Sequence, residues 1–274
     1  MQIDSVTMSE HLTPNFEVKC LLKTQEVLTT DGRLNDQVRS AFKVGSMPKK
    51  MSIQFVDTKN KDIYNNGWNL RIRKTEGKSK FELTYKKRYP VVSGIDIGVS
   101  DVRGNIVAAL EIAMKDEFDL SSKFNAQIEV GYQQQTLSIS NDQKVPDTGF
   151  RGLDLPLEAD ARGMLIAQAP QQFKKWSAGL DNLSKAVVYG PVHATRYEGK
   201  LGDLDIDIEV WPIRKSNSDP SLELIAEASF KADELQSALK GKAVLGKFLS
   251  DRGWLSPEDS LKTKLIMERY GQTA

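Results

Sequence analysis

The chain is 274 residues long, carries 38 Lys and Arg against 37 Asp and Glu for a formal net charge of +1, and is 39% hydrophobic and 27% charged. That balance excludes a disordered chain, an acidic solvating tail and a broad basic field for wrapping nucleic acid. A length just past the usual ceiling of about 250 residues for one core allows one large domain or a domain carrying insertions.

One cysteine, Cys20, cannot form an internal disulfide, and no Cys/His cluster offers a zinc site. His11 and His193 are the only histidines, so schemes built on an imidazole base are starved of it. Neither a Walker-type phosphate loop nor a dinucleotide fingerprint occurs. Any chemistry must fall to Lys, Arg, Asp and Glu. Met1 to Pro14 lacks the apolar stretch of a signal peptide and no run reaches the length of a membrane span, which leads us to expect a soluble, cytoplasmic protein with no membrane partner.

In chain order, residues 1–14 read as a flexible arm. Phe16 to Leu22 alternates apolar and charged residues and predicts a strand. Asp36 to Lys43 is a short helical candidate, and Met51 to Val56 is a second strand. Trp68 to Thr75 and Lys80 to Arg88, joined by Glu76-Gly77-Lys78-Ser79, form the clearest hairpin. Residues 101–117 read as helix, Ala126 to Ser140 as β-rich, and Asn141 to Gly152 as a turn-rich loop. Leu157 to Trp176 reads as helix broken or kinked at Pro170. Strands return over Val187–Glu198, Leu204–Trp211 and Ser221–Phe230, with a loop from Pro212 to Pro220. Two helices follow, Ala232–Asp251 and Pro257–Tyr270, the second with Ser256 as N-cap and Pro257 at its first position. This is an α+β pattern rather than regular βαβ alternation.

Period-two alternation assigns the charges to one face of each strand. Glu17 and Lys19 share a face, opposite Phe16, Val18 and Cys20. Arg71 and Arg73 oppose Leu70 and Ile72; Glu82, Thr84, Lys86 and Arg88 oppose Phe81, Leu83 and Tyr85. Asp205, Asp207 and Glu209 oppose Ile206, Ile208 and Val210, while Glu223 and Glu227 oppose Leu222, Leu224 and Ala226. Arg196 and Glu198 share a face between them. An antiparallel sheet with one wet face produces the same alternation without any function. Three features favour another reading: both signs recur on nearly every strand, Thr, Ser and Gln are sparse there, and cations gather on early strands while carboxylates gather on late ones. A sheet of this many strands tends to curl, and a closed barrel turns the charged face inward. Facing banks of Arg/Lys and carboxylates suit phosphate oxygens and a hard divalent cation between them.

The chain resembles the CYTH superfamily, the triphosphate tunnel metalloenzymes. Asn15 to Lys19 is similar to that family's N-terminal E-x-E-x-K signature. Phe55-Val56-Asp57-Thr58, Ile63-Tyr64, Gly67-Trp68 and Leu70-Arg71-Ile72-Arg73 resemble its F-D-T…L-Y…G…L-R-x-R block. Phe81 to Lys86 resembles the strand that follows, Glu223 and Glu227 the late glutamate strand, and Thr263-Lys264-Leu265 the S/T-K near the C-terminus. The match runs over residues 15–270, is strongest over 15–88 and is loose over about 90–190. Asn15 stands where the family has its first glutamate, and Ile225 holds the middle position of the late strand.

The resemblance implies a closed antiparallel β-barrel tunnel of about eight strands with flanking helices. It spans residues 15–274 as one domain with an enlarged middle region. It implies binding of a phosphorylated small molecule with Mg²⁺ or Mn²⁺: Lys19, Arg71, Arg73, Lys86, Arg196 and Lys264 on phosphate, and Glu17, Glu209, Glu223 and Glu227 on metal. Lys19, Arg71, Arg73 and Lys86 are the catalytic candidates. Hydrolysis of inorganic triphosphate, thiamine triphosphate or a nucleoside triphosphate is the leading expectation. The alternatives are a binding module that has lost catalysis, motivated by Asn15 and Ile225, and a lyase or cyclase ionising an organic diphosphate such as a prenyl ester.

Overall fold

The computed structural model describes residues 14–45, 47–91, 99–116, 124–259 and 262–270. All but the last residue of the expected N-terminal arm lies outside them. The first third holds β1 (Asn15–Leu22), α1 (Thr24–Val27), α2 (Asp36–Ala41), β2 (Lys49–Asp57), α3 (Asp62–Asn65), β3 (Trp68–Thr75) and β4 (Lys80–Val91). The middle adds α4 (Val99–Lys115), β5 (Asn125–Val130), β6 (Gln135–Pro146), α5 (Glu158–Gln168), α6 (Gln171–Lys175) and α7 (Gly179–Ser184). The last third is β7 (Val187–Leu201), β8 (Leu204–Arg214), β9 (Leu222–Ala232), α8 (Leu235–Ser250) and α9 (Lys262–Arg269).

The strands bond in the order β1-β5-β6-β4-β3-β2-β7-β8-β9, and β9 returns to β1 to close the barrel. Eight of the pairings are antiparallel, while β1 and β5 run parallel, with Asn15 beside Gln127 and Val18 beside Val130. The barrel is therefore mixed and has one strand more than the resemblance implied. The extra strand comes from the middle region. What reads as one β-rich stretch followed by a loop is a hairpin, and β6 continues through Pro146 because β4 is long enough to pair with it residue by residue from Val91 to Lys80.

Alternation along the strands builds two different faces. Outward residues, among them Val18, Ile72, Leu83, Ile128, Leu137, Ile208 and Ala228, are buried under the helices and form the main core. Helix α8 supplies Leu245 and Leu249 to it and comes so close to the barrel that a Cβ on Gly241 would collide with the Phe230 ring. The Pro170 break falls as expected between α5 and α6. Asp57, at the end of β2, is buried and accepts from the backbone N–H groups of Thr58, Ile63 and Tyr64 at 2.7–2.9 Å. The aspartate of the Phe55–Thr58 motif thus ties a strand end to the start of α3.

Helix α9 is described over Lys262–Arg269, whereas the helix is expected from Pro257. Residues 257–259 do not form a helical turn, because Asp259 accepts from the backbone N–H groups of Gln133 and Gln134 at 3.1–3.3 Å and caps the β5–β6 turn instead. Ser256, expected to cap the helix, donates its backbone N–H to the Leu21 carbonyl. The apolar face of α9, Ile266 and Met267, together with Tyr270 just beyond it, packs with Met51, Ile53, Phe55, Trp211 and Ile213 in a second core. By register these strand residues point inward, Ile53 lying opposite Arg73 and Phe55 opposite Arg71. Among the described residues no helix is long and apolar enough to cross a membrane.

Candidate anion-binding tunnel

Inward alternation brings the charged residues of seven strands and α9 to one cavity of about 380 Å³. Lys19, Arg71, Arg73, Lys86 and Arg196 all line it, as do Glu17, Glu209 and Glu227. The expectation that the charged face turns inward is therefore met for these positions. The two signs do not, however, occupy opposite banks. Glu82 lies across the strand pair from Arg73, and one of its oxygens takes both that guanidinium and Arg71, the latter at 3.1 Å. Glu129 from β5 bridges Lys19 at 3.1 Å and Lys86 at 2.8 Å, with Arg88 at 3.7 Å. Cations removed from water need a nearby counter-charge, so each cationic group carries its own acid.

These contacts set the protonation states. Burial alone would lower the Lys19 ammonium, but Glu129 and Glu17 outweigh it and hold it above the ordinary lysine value. Burial lowers Lys86, which also faces Arg88 and Lys19. Against burial, Lys19, Lys86 and Arg88 keep the Glu129 carboxyl well below the usual range, and Lys19 keeps Glu17 low. Arg73 is pushed down to about 10 by burial and by the neighbouring Arg71 charge. At neutral pH the depressed carboxyls of Glu17 and Glu129 and the raised ammonium of Lys19 are charged.

The cations are under-satisfied. Nε of Arg71 and Nε of Arg73 are both buried and have no hydrogen-bond partner. A buried donor left unpaired costs on the order of 1–3 kcal/mol, and two adjacent ones on like-charged side chains mark a place prepared for an anion. The Thr84 hydroxyl accepts from Arg71 Nη2 at 2.9 Å and donates to Asp142 Oδ1 at 2.6 Å, which fixes the orientation of that guanidinium.

The fourth wall is built around Lys262. Its ammonium lies 2.9 Å from Glu209 Oε2 and 2.8 Å from Glu227 Oε1, and 4.6 Å from the centre of the Trp211 ring. Glu209 also accepts two bonds from Arg196 on Oε1, at 2.7 and 3.0 Å, and the Trp211 indole N–H at 2.8 Å on Oε2. Despite burial, Lys262 and Arg196 hold the Glu209 carboxyl far below its ordinary value.

Two sequence-predicted residues do not line this cavity. Lys264 is half exposed, 3.9 Å from Glu268 on its own helix, and lines an adjoining cavity of about 250 Å³ with Lys19, Glu129, Glu227 and Lys262, the last of which lines both. Glu223 is likewise half exposed and bonds Arg269 at 2.6 Å. Residues that sequence reasoning did not single out as site groups, namely Glu82, Arg88, Glu129, Asp142 and Lys262, complete the wall. Gln127-Ile128-Glu129 carries the polar–apolar alternation that could have revealed Glu129.

The Mg²⁺ or Mn²⁺ implied by the resemblance finds no matching donor set. Glu223 is remote, Glu209 has both oxygens engaged, Glu17 is 3.0 Å from Lys19, and Glu227 offers only Oε2, which is buried and unpartnered. Among the described residues no three Asp, Glu, His or Cys side chains are disposed to hold a metal ion. The residues present do not fit the expected carboxylate site.

No family profile and no curated protein matches the chain. Solved structures do. A putative adenylyl cyclase from Hippeastrum, described as having a dominant triphosphatase activity, is 12% identical with a TM-score of 0.54 over 91% of this chain and 93% of that one. A putative adenylate cyclase from Bacillus halodurans is 12% identical with a TM-score of 0.51 over 92% and 96%. At such identities the likeness is one of fold: the chain shares the architecture of these two proteins over nine-tenths of its length.

Proposed function

We propose that the tunnel binds a tri- or diphosphate compound and hydrolyses a phosphoanhydride bond in it. The observation that carries this reading is the pair Arg71 and Arg73, which line a cavity with Lys19, Lys86 and Arg196 and whose buried guanidinium Nε groups have no partner. Phosphoryl oxygens would satisfy both donors, and the bidentate geometry of guanidinium suits them. Phosphoryl transfer asks little covalent chemistry of a protein; positioning and charge stabilisation do most of the work. Arg71 and Arg73 would clamp one phosphoryl group, with Lys19, Lys86 and Arg196 around the rest of the chain of phosphates. Inorganic triphosphate, thiamine triphosphate and nucleoside triphosphates all present this group. The triphosphatase activity named for the Hippeastrum protein supports the same class.

The experiment is phosphate release from inorganic triphosphate, ATP and thiamine triphosphate, measured beside Arg73→Ala. Turnover by the native chain well above the variant is expected; release no faster than the variant on every substrate overturns hydrolysis.

A specific observation favours one other reading, a binding module without turnover: both Glu209 oxygens are engaged, which removes that carboxylate as a base. Tight calorimetric binding of inorganic triphosphate with no phosphate release distinguishes it. The prenyl-diphosphate reading gains nothing, since α9 already fills the apolar interior with Ile266 and Met267.

A further inference from the structure

We propose that Lys262 is a built-in cation of the tunnel, holding between Glu209 and Glu227 the place that a divalent ion would otherwise take, and thereby making phosphate binding independent of added metal. Glu209 and Glu227 are directly opposed across β8 and β9, so their carboxylates converge on one point. Two buried carboxylates at that separation repel, and only a cation between them makes the arrangement tenable. The structure puts an ammonium there, within 2.9 Å of both.

The placement is built rather than incidental. Lys262 belongs to α9, and that helix is anchored further along. Ile266 and Met267 are buried in the inner core, and the Tyr270 hydroxyl accepts the Arg214 backbone N–H at 3.1 Å. The Trp211 ring lies under the ammonium while its N–H holds Glu209 in position. Cation–π contact and two carboxylates leave little freedom for the side chain. The second, independent sign of a cation site is Glu227 Oε2. It belongs to a side chain only 3% exposed, and it has no partner. An ammonium satisfies one oxygen of Glu227 and leaves the other wanting, as expected when a tetrahedral donor occupies a site that a divalent ion could fill with more ligands.

Removing the ammonium should therefore create a metal site. The test is electron paramagnetic resonance titration of Mn²⁺ into the full-length chain without any phosphate, comparing the native protein with Lys262→Met. Lys262→Met is expected to bind Mn²⁺ at least about tenfold tighter than the native chain, and Glu227→Gln added to it should abolish the gain. Equal affinities, or no binding by either, overturn the proposal.

Should Lys262→Met fail to fold, the native chain decides alone, because tight Mn²⁺ binding with Lys262 in place contradicts the assignment. Calorimetry with inorganic triphosphate supplies the functional arm, which rests on the phosphate-binding reading above. With EDTA or with Mg²⁺ the native affinity is expected to agree within about threefold, whereas a dependence of about tenfold or more contradicts a resident cation. The Mn²⁺ titration contains no phosphate, so a protein that binds no triphosphate at all would sink the functional reading and leave that result standing.

Discussion

The interior of the barrel has two zones. One is ionic, with Arg71 and Arg73 of β3 facing Glu82 and with Lys19 and Lys86 sharing Glu129. The other is apolar, where Met51, Ile53 and Phe55 of β2 meet Val192, Trp211 and Ile213 under α9. Ile53 and Phe55 are the cross-strand partners of Arg73 and Arg71, so the border between the zones runs between β2 and β3. The apolar zone is packed and needs nothing further. The ionic zone is paired but not saturated. A packed floor also lowers the local dielectric, which strengthens every charge interaction made above it.

That contrast yields measurable differences, the largest at the ionic zone. Arg73→Ala should reduce triphosphate turnover or affinity by about 100-fold or more, the usual effect of removing a preorganised charge donor, with little change in melting temperature. A variant that binds and turns over normally would move the substrate elsewhere. In the apolar zone the effects should reverse. Ile266→Ala, at a fully buried position, should cost about 2–5 kcal/mol of stability, read by chemical denaturation. A loss below about 1 kcal/mol would mean that α9 is not packed as described.

The ionic zone should also set the acid limit. Glu17, Glu129 and Glu209 have folded-state pKa values below their ordinary ones, so their contribution is present above the unfolded value of about 4.5 and is lost as the pH falls through the depressed folded values. Lys19, shifted upward, contributes fully below about 10.5 and loses that contribution only as the pH rises past it. Denaturation midpoints should accordingly be flat near neutrality and fall below pH about 4.5; a midpoint that rises on acidification contradicts the ion pairing. The smallest effects belong to Lys264→Ala and Glu223→Gln. Both sit in exposed pairs worth under about 1 kcal/mol, and phosphate release should change by less than about twofold.

The strands were legible because period two survives in β1, β3, β4, β8 and β9, and that alternation correctly turned Lys19, Arg71, Arg73 and Lys86 to one side. The separation of charges into banks was not legible, since the counter-ion for two early-strand lysines is Glu129, in a middle region whose pairing with β1 is parallel and distant in sequence. Lys262 was not legible because the expectation of Lys264 came from the Thr263-Lys264 motif alone, and nothing in the sequence shows that Asp259 leaves the expected helix to cap the β5–β6 turn.

The central claim is that the interior ionic cluster is an anion receptor, and a crystal structure with inorganic triphosphate tests it most directly. Phosphate oxygens should lie about 2.7–3.2 Å from Arg71 Nε and Arg73 Nε inside the barrel, with Lys19 and Lys86 on the neighbouring oxygens. Triphosphate bound only on the outer surface, with both Nε groups still unpartnered, would contradict it.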